Sequence, residues 1–437
     1  MITGRININD GWYLAHGTIF YAIKFSKAVL GYGTFNNIRK ELHFNADTIS
    51  GDGVGCFLKF NTDSNEKVYL KVAISTKSVA NARKFVNNEI PGWGFDKVKE
   101  NATRIWNRAL SAVLIDDNNI ADGEKTIFYT ALYHALLSPK DRTGDCPWDY
   151  SGPYYDDQFT IWDTFRSEFP FFTRIRQSVV RDNVKSLIEG YKHCGYAADA
   201  FLCGLEDMVQ GGGDDADIVV ADAYEKGIKG IDWKEAYELL KGNATVSGRS
   251  TYFKEGERGW VPFNTIQKMA YASASKTLEF AYNDFCVSEV AGGLGNKSDS
   301  IRFFDRSTRW VNLWDPSVKS DGFSGFIMAK DTSGKWEVIG PYEDPDGSFS
   351  KHFYEGDSWE YSFFIPHQMK KLIKLMGGKS TFTKRLTYYV AKHLGIGNEP
   401  SFLVPFLFNY VGRPDITSKY VRYYSTTIIT FQRNIYI

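Results

Sequence analysis

Asp214-Asp215-Ala216-Asp217-Ile218-Val219-Val220-Ala221-Asp222-Ala223-Tyr224-Glu225-Lys226-Gly227 reads as a helix with both ends marked. Asp214 and Asp215 can cap the free N–H groups at its start, and glycine commonly closes a helix. The same signals recur on both sides. Residues 124–137, 178–193, 233–240, 266–290, 367–376 and 379–394 carry helical patterning. Pro366 suits a first-turn position, and Gly377-Gly378 ends the helix that follows. No strands alternate with these segments. The residues therefore predict an all-α toroid with long loops at one rim, or else a plain helical bundle or solenoid. No fixed-length repeat favours the solenoid.

Toward the N-terminus the period changes from helical to two. Val68-Tyr69-Leu70-Lys71-Val72-Ala73-Ile74 alternates, and Gly11-Trp12-Tyr13-Leu14 and Phe20-Tyr21-Ala22-Ile23-Lys24-Phe25 are similar. Turns at Asp52-Gly53 and Asp63-Ser64-Asn65 separate these runs. We expect a partial β-sandwich over residues 1–77, with too few strands to close alone. A helical connector over 78–120, broken at Pro91-Gly92, leads to a helical domain over 121–437. The class is α+β multidomain, as a 437-residue chain suggests.

Lys plus Arg equals Asp plus Glu at 52 each, which argues against a nucleic-acid surface or a polybasic membrane patch. No run approaches the ~18 apolar residues of a membrane span. Residues Met1 to Asn7 contain no apolar signal core, so the chain as written is expected in the cytoplasm, or secreted if residues precede it naturally. Five cysteines without a CxxC pair do not suggest zinc or a disulfide framework. Aromatic residues make up 16% of the chain, a surplus suited to a carbohydrate cleft or to a large aromatic core.

Two segments carry possible chemistry: Phe353-Tyr354-Glu355-Gly356-Asp357-Ser358-Trp359-Glu360-Tyr361 and Gly397-Asn398-Glu399-Pro400. Sugars offer apolar C–H faces to aromatic rings and hydroxyls to carboxylates. Glycosidic cleavage needs one carboxylic acid and a second carboxylate to activate water. The same residues would also serve as a buried Tyr/Trp cluster with capping acids. Ile161-Trp162-Asp163-Thr164-Phe165-Arg166 can bind a sugar by stacking plus bidentate hydrogen bonds, or can be an Asp–Arg ion pair under a structural Trp. Gln210-Gly211-Gly212-Gly213-Asp214-Asp215 matches neither a phosphate loop nor an EF-hand, which favours helix capping. His367 and His393 have no partner at metal-ligand spacing. Asn283-Asp284 and the Trp310–Pro316 stretch are weaker candidates for a cleft.

Together these segments resemble glycoside hydrolase family 92, the calcium-dependent exo-acting α-mannosidases. The matching pieces run in order: Ala80 to Lys84 with Glu89-Ile90-Pro91-Gly92-Trp93, Thr126 to Leu136, Ile161 to Arg166, Ala221-Asp222-Ala223-Tyr224, Glu355-Gly356 with Trp359 and Tyr361, Lys374 to Gly378, and Gly397-Asn398-Glu399-Pro400-Ser401. The wording of the last is nearest to fungal members. The resemblance implies an N-terminal β-sandwich on an (α/α)6 barrel, inversion of configuration, and a Ca2+ ion gripping the hydroxyls of a terminal mannose. The implied substrates are mannose-containing oligosaccharides or glycoprotein glycans, commonly α-1,2-linked. Carried over by position, Glu355 is the general acid, with Glu360 a second candidate. Trp162, Asp163 and Arg166 line the terminal-sugar subsite. Trp359 and Glu360 are further substrate contacts, and Asn398 and Glu399 lie at the metal and the neighbouring sugar.

The resemblance also has gaps. The Gly-Asn-Asp/Ser-Asp stretch that carries the family's base is not found, and the tail from Tyr423 to Ile437 holds no Asp or Glu. Phe201 to Asp207 lacks the expected Arg and Asn, and Gln368 replaces an Asp. The expectation is a family member shortened at both ends, with an incomplete barrel and impaired catalysis. A catalytically inactive mannose-binding remnant and a damaged gene product are the alternatives.

Overall fold

The computed structural model describes residues 1–8, 17–116, 120–157, 160–197, 199–202, 205–207, 214–245, 259–264, 272–342, 352–392 and 399–433. Gly11 to Leu14, the loop 208–213, His393 and Asn398 therefore lie outside the described residues. Two compact units emerge. One holds Met1–Leu136 and Thr143–Ser151; the other holds Leu137–Arg142, Gly152–Leu202 and Glu206–Ile437.

The first unit contains six strands in two antiparallel sheets. β1 (Ile2–Ile8), β2 (Gly17–Phe25) and β6 (Leu70–Ser75) form one sheet in the order β1-β2-β6. β3 (Gly31–Asn36), β4 (Glu41–Phe44) and β5 (Val54–Lys59) form the other, in the order β4-β3-β5. The period-two pattern at residues 68–74 is realised in β6 with an unexpected facing. Lys71, Ala73 and Ser75 are buried, whereas Leu70, Val72 and Ile74 are exposed.

Polar partners make that facing possible. Lys71 Nζ donates to the Ile90 carbonyl and lies over the Trp93 ring, and Ser75 Oγ donates to Asp145. Asp145 is buried but satisfied, because it also accepts from Thr76 N at 2.9 Å and from Asn81 Nδ2 at 2.7 Å. The helix Val79–Asn88, capped by Ser78, presses Ala82 and Val86 onto Ala22 and Ala73. Helices Phe95–Leu110 and Asp122–Ala135 complete this unit, which thus runs past residue 120.

The second unit is mainly helical. Helix Ala216–Glu225 forms where its sequence signals placed it, and Gly227, with φ +65°, closes it in the left-handed region that glycine reaches without a Cβ clash. Its expected cap differs: Asp215 stands at the N-cap position, yet its side chain caps nothing. Helix Ser273–Gly293 is buried along nearly all its length, so it shows little amphipathic period. Helices Gln177–Cys194, Trp233–Thr245, Lys297–Ser307, Met369–Leu375 and Lys379–Lys392 surround it in sequence. Residues 414–433 form a helix beginning at Pro414, a first-turn proline.

An antiparallel hairpin, Trp314–Ser320 with Phe323–Ile327, interrupts the helices and was missed by the alternation test. Its register shifts between Asp315 and Lys319, and Pro316 falls in that irregular stretch, where a strand proline is tolerated. Trp310 is core rather than cleft: it is fully buried and its indole donates to Gln368 Oε1 at 2.9 Å. His367 is likewise structural. It stacks on Tyr282, its Nε2 lies 3.0 Å from the Ser307 carbonyl, and burial pushes its pKa down to about 4.

Candidate functional site

Thr160 starts the short helix Ile161–Thr164 by accepting from Asp163 N at 3.3 Å, and this turn sets where the neighbouring side chains point. Arg166 folds back so that Nε donates to the Trp162 carbonyl at 3.0 Å, with its guanidinium 4.7 Å from the Trp162 ring. Both side chains then converge on one acceptor. Trp162 Nε1 and Arg166 Nη2 donate to Glu279 Oε1 at 3.0 and 3.1 Å. Arg166 therefore pairs with Glu279 and not with Asp163. Trp162 retains only 2% exposure, with Arg166 over its ring and Tyr354 meeting it edge-on at 5.0 Å. Little of the indole face is therefore open.

The Tyr354-Glu355 segment is fixed at its backbone. Tyr354 N donates to Ser275 Oγ at 3.0 Å, and Tyr361 Oη donates to the Tyr354 carbonyl at 2.6 Å. Glu355 follows with φ +46°, a left-handed conformation that a non-glycine residue adopts only when its surroundings enforce it. A Cβ at Gly356 would press on Glu360 Oε2 at 2.5 Å and on the Tyr361 ring at 3.1 Å. The Glu355 side chain is half-buried, and its pKa is raised, first by burial and then by the charge of Glu399, with a Tyr354 hydrogen bond opposing.

Asp163 meets Glu399 in a side-chain hydrogen bond. Burial first, then that bond and the charges of Glu399 and Glu355, push the Asp163 pKa up to about 7. Arg166 opposes the rise only weakly, since its charge is already committed to Glu279. Glu360 is buried on the helix Ser358–Tyr361, and its N–H is capped by Asp357 Oδ1 at 2.9 Å. It accepts from Ser401 Oγ, and burial pushes its pKa up to about 7. Thus the structure brings Asp163, Glu355 and Glu399 within electrostatic reach of one another, with Glu360 set beneath them.

Trp359 is elsewhere. It is fully buried, stacked between Tyr342 and Tyr389 and met by Phe323, Phe326 and the Arg385 guanidinium. Both of its faces are covered by these neighbours. Asp284, another weak candidate, is a fully buried partner of Arg306.

The sequence reading missed a set of buried acids behind the site. Asp199 and Asp215 are buried, and desolvation raises both pKa values, with the charges of Asp214, Asp163 and Glu279 adding at Asp199 and those of Asp199, Glu279 and Asp214 adding at Asp215. Lys276, on the same helix as Glu279, is buried enough that its pKa falls to about 8. Several charged residues, Lys276, Glu279 and Asp284, within one long helical segment were the available signal. Among the described residues, no group of three or more His, Cys, Asp or Glu side chains is placed to hold a metal ion. An apolar cavity of about 540 Å³ opens beside Arg166, but its walls include none of Asp163, Glu355 and Glu399.

A sequence model of the glycosyl hydrolase family 92 catalytic domain matches residues 81–434. The chain belongs to glycosyl hydrolase family 92. A relative described as an uncharacterized secreted glycosidase, from Arthroderma benhamiae, is 32% identical over 400 residues, covering 84% of this chain and 48% of that protein. A family 92 α-mannosidase of Bacteroides thetaiotaomicron, solved with mannoimidazole, superimposes with TM-score 0.82 at 26% identity, over 97% of this chain and 58% of its own. An inverting mannosidase of the same family and organism shares the fold, with TM-score 0.81 at 24% identity, over 97% of this chain and 61% of its own. The chain thus spans about half the length of the curated relative it matches. Family membership agrees with the sheet-bearing first unit and the helical second one. No described helix is long and apolar enough to cross a membrane.

Proposed function

We propose that this chain acts in the hydrolysis of terminal α-linked mannose, α-1,2 linkages first, from N-glycans or mannans. The observation that carries this is Glu355: a half-buried carboxyl whose protonated form is favoured, held at φ +46° beside the Asp163–Glu399 pair. Glycosidic cleavage requires such a group to give its proton to the leaving oxygen. Asp163 and Glu399 are suited to accept hydrogen bonds from sugar hydroxyls, while Arg166 and Trp162 hold the turn that presents Asp163. Support comes from the family and from the mannoimidazole bound to the Bacteroides relative. On this reading the helical unit corresponds to an (α/α)6 barrel, the reaction inverts configuration, and the secreted relative favours an extracellular setting.

Calcium belongs to the same proposal. Two carboxyls in contact are hard oxygen donors whose mutual repulsion a divalent cation would relieve, so Glu399 fits such an ion, with Asp163 beside it and Asn398 adjoining in sequence. When bound, it would supply a site for sugar hydroxyls and favour ring distortion. Titrating Ca2+ into chelator-treated protein should raise its melting temperature, with Glu399→Gln abolishing the effect.

On this reading the residues of this chain supply the acid side of an inverting pair. Hydrolysis of α-1,2-mannobiose with added calcium tests the reading. Turnover lost in Glu355→Gln supports an enzyme. Mannose binding without turnover identifies a sugar-binding relic of one.

A further inference from the structure

We infer that Glu279 is a positioning residue: one of its oxygens fixes the Trp162 indole and the Arg166 guanidinium, and thereby the Tyr354-Glu355 segment that bears the acid. The catalytic half of this rests on the mannosidase reading; the geometric half does not. Glu279 sits in the middle of helix Ser273–Gly293 with no exposed surface, where an ionised carboxylate is costly unless paired and hydrogen-bonded. Its Oε1 takes both donors, while Oε2 has no hydrogen-bond partner among the described residues. A residue present only to stabilise an ion pair would gain by using both oxygens; sharing one forces the two donors toward a single point.

That point closes a triangle. Trp162 and Arg166 are one helical turn apart, and Arg166 Nε also donates to the Trp162 carbonyl. Neither side chain can rotate without breaking a hydrogen bond. Arg166 is held further by the Phe165 and Phe364 rings, 4.5 and 4.8 Å from its guanidinium carbon. The locked indole then presents itself to Tyr354, ring to ring at 5.0 Å and 84°. Ser275, one turn before Glu279 on the same helix, binds the Tyr354 backbone N–H. A single helix therefore grips the residue before the acid twice, directly through Ser275 and through Trp162 by way of Glu279. This is how a strained φ at Glu355 is held in place.

The test uses the full chain with 15N-labelled tryptophan, the Trp162 indole N–H resonance being identified by its loss in Trp162→Phe. Glu279→Leu should shift that resonance and expose it to solvent exchange, whereas Glu279→Gln, which keeps an acceptor oxygen at the same reach, should leave it in place. Glu279→Asp keeps the charge but withdraws the oxygen, so it should resemble Leu. On α-1,2-mannobiose, Leu and Asp should lower kcat by ~10²-fold, the scale of a misplaced reacting group, with KM changing far less. Gln should recover most of the rate. An unshifted indole in folded Glu279→Leu or Glu279→Asp overturns the inference, as does a Gln variant as damaged as Asp. If the parent chain neither cleaves mannobiose nor binds mannose, the mannosidase reading fails separately, and the indole resonance still decides the role of Glu279. Should Leu not fold, the Asp and Gln pair carries the same decision.

Discussion

Asp163 lies close enough to Glu399 that burial, the Glu399 side chain and the Glu355 charge together favour the protonated form of Asp163. Burial and the Glu355 charge hold the Asp163 pKa at about 7, above its unfolded value. The folded chain then binds that proton more tightly than the unfolded chain does. The resulting stabilisation is full at low pH and is lost as pH rises through about 7. Glu360, at about 7, and Glu168, at about 8 through burial alone, act in the same direction. In chelator, the melting temperature should be higher at pH 5 than at pH 8. Asp163→Asn should flatten the dependence in part. An identical pH slope in that variant and the parent would remove the Asp163 proton from the account.

Glu355→Gln should leave folding intact, because the side chain is half-buried and its raised pKa already favours the neutral form. Loss of a general acid typically costs ~10²–10⁴-fold in rate. The loss should be greatest for disaccharides, which need the proton, and smallest for aryl mannosides with acidic leaving groups. Parent activity should fall as pH rises through the elevated Glu355 pKa. Steady-state rates on both substrate types check this; equal losses on the two would assign Glu355 to binding.

The distinction between what was legible in the sequence and what was not follows chain distance. Helix Ala216–Glu225 could be read because its ends are local signals, and Glu355 could be picked out as a candidate because its family segment is contiguous. Glu279 could not be, since its partner Trp162 lies 117 residues away and only packing joins them. Trp359 is the opposite case. Its local setting among acids and glycines resembles a sugar platform, but residues from 323 to 389 close around it in space. The inverted facing of β6 also escaped, because period two is the same whichever set of side chains points inward.

Trp359→Ala should then act on stability alone. Replacing a fully buried aromatic by alanine costs ~3–5 kcal/mol, and here it would also leave the Arg385 guanidinium, 5.0 Å away, without one of its covering rings. Trp359→Phe should cost less. Chemical denaturation measures the loss, and calorimetry should find mannose affinity unchanged in whatever fraction stays folded. A weakened affinity in fully folded Trp359→Phe would restore the sugar contact.

Asp284 and Arg306 form a fully intramolecular anchor for the helix that carries Glu279. The Arg306 guanidinium engages both Asp284 oxygens and also donates to the Ala244 carbonyl at 3.0 Å, tying helices Ser273–Gly293, Lys297–Ser307 and Trp233–Thr245 together. Removing one member of a buried pair leaves the other charge uncompensated, at ~3–5 kcal/mol. Asp284→Ala should therefore destabilise the chain by that amount, more than replacing both residues by apolar ones of similar volume. Asp284→Asn should fall between, since an amide keeps one acceptor for the guanidinium. Urea midpoints for the three variants give the order; a double variant less stable than Asp284→Ala would mean the pair contributes net attraction beyond relief of a stranded charge.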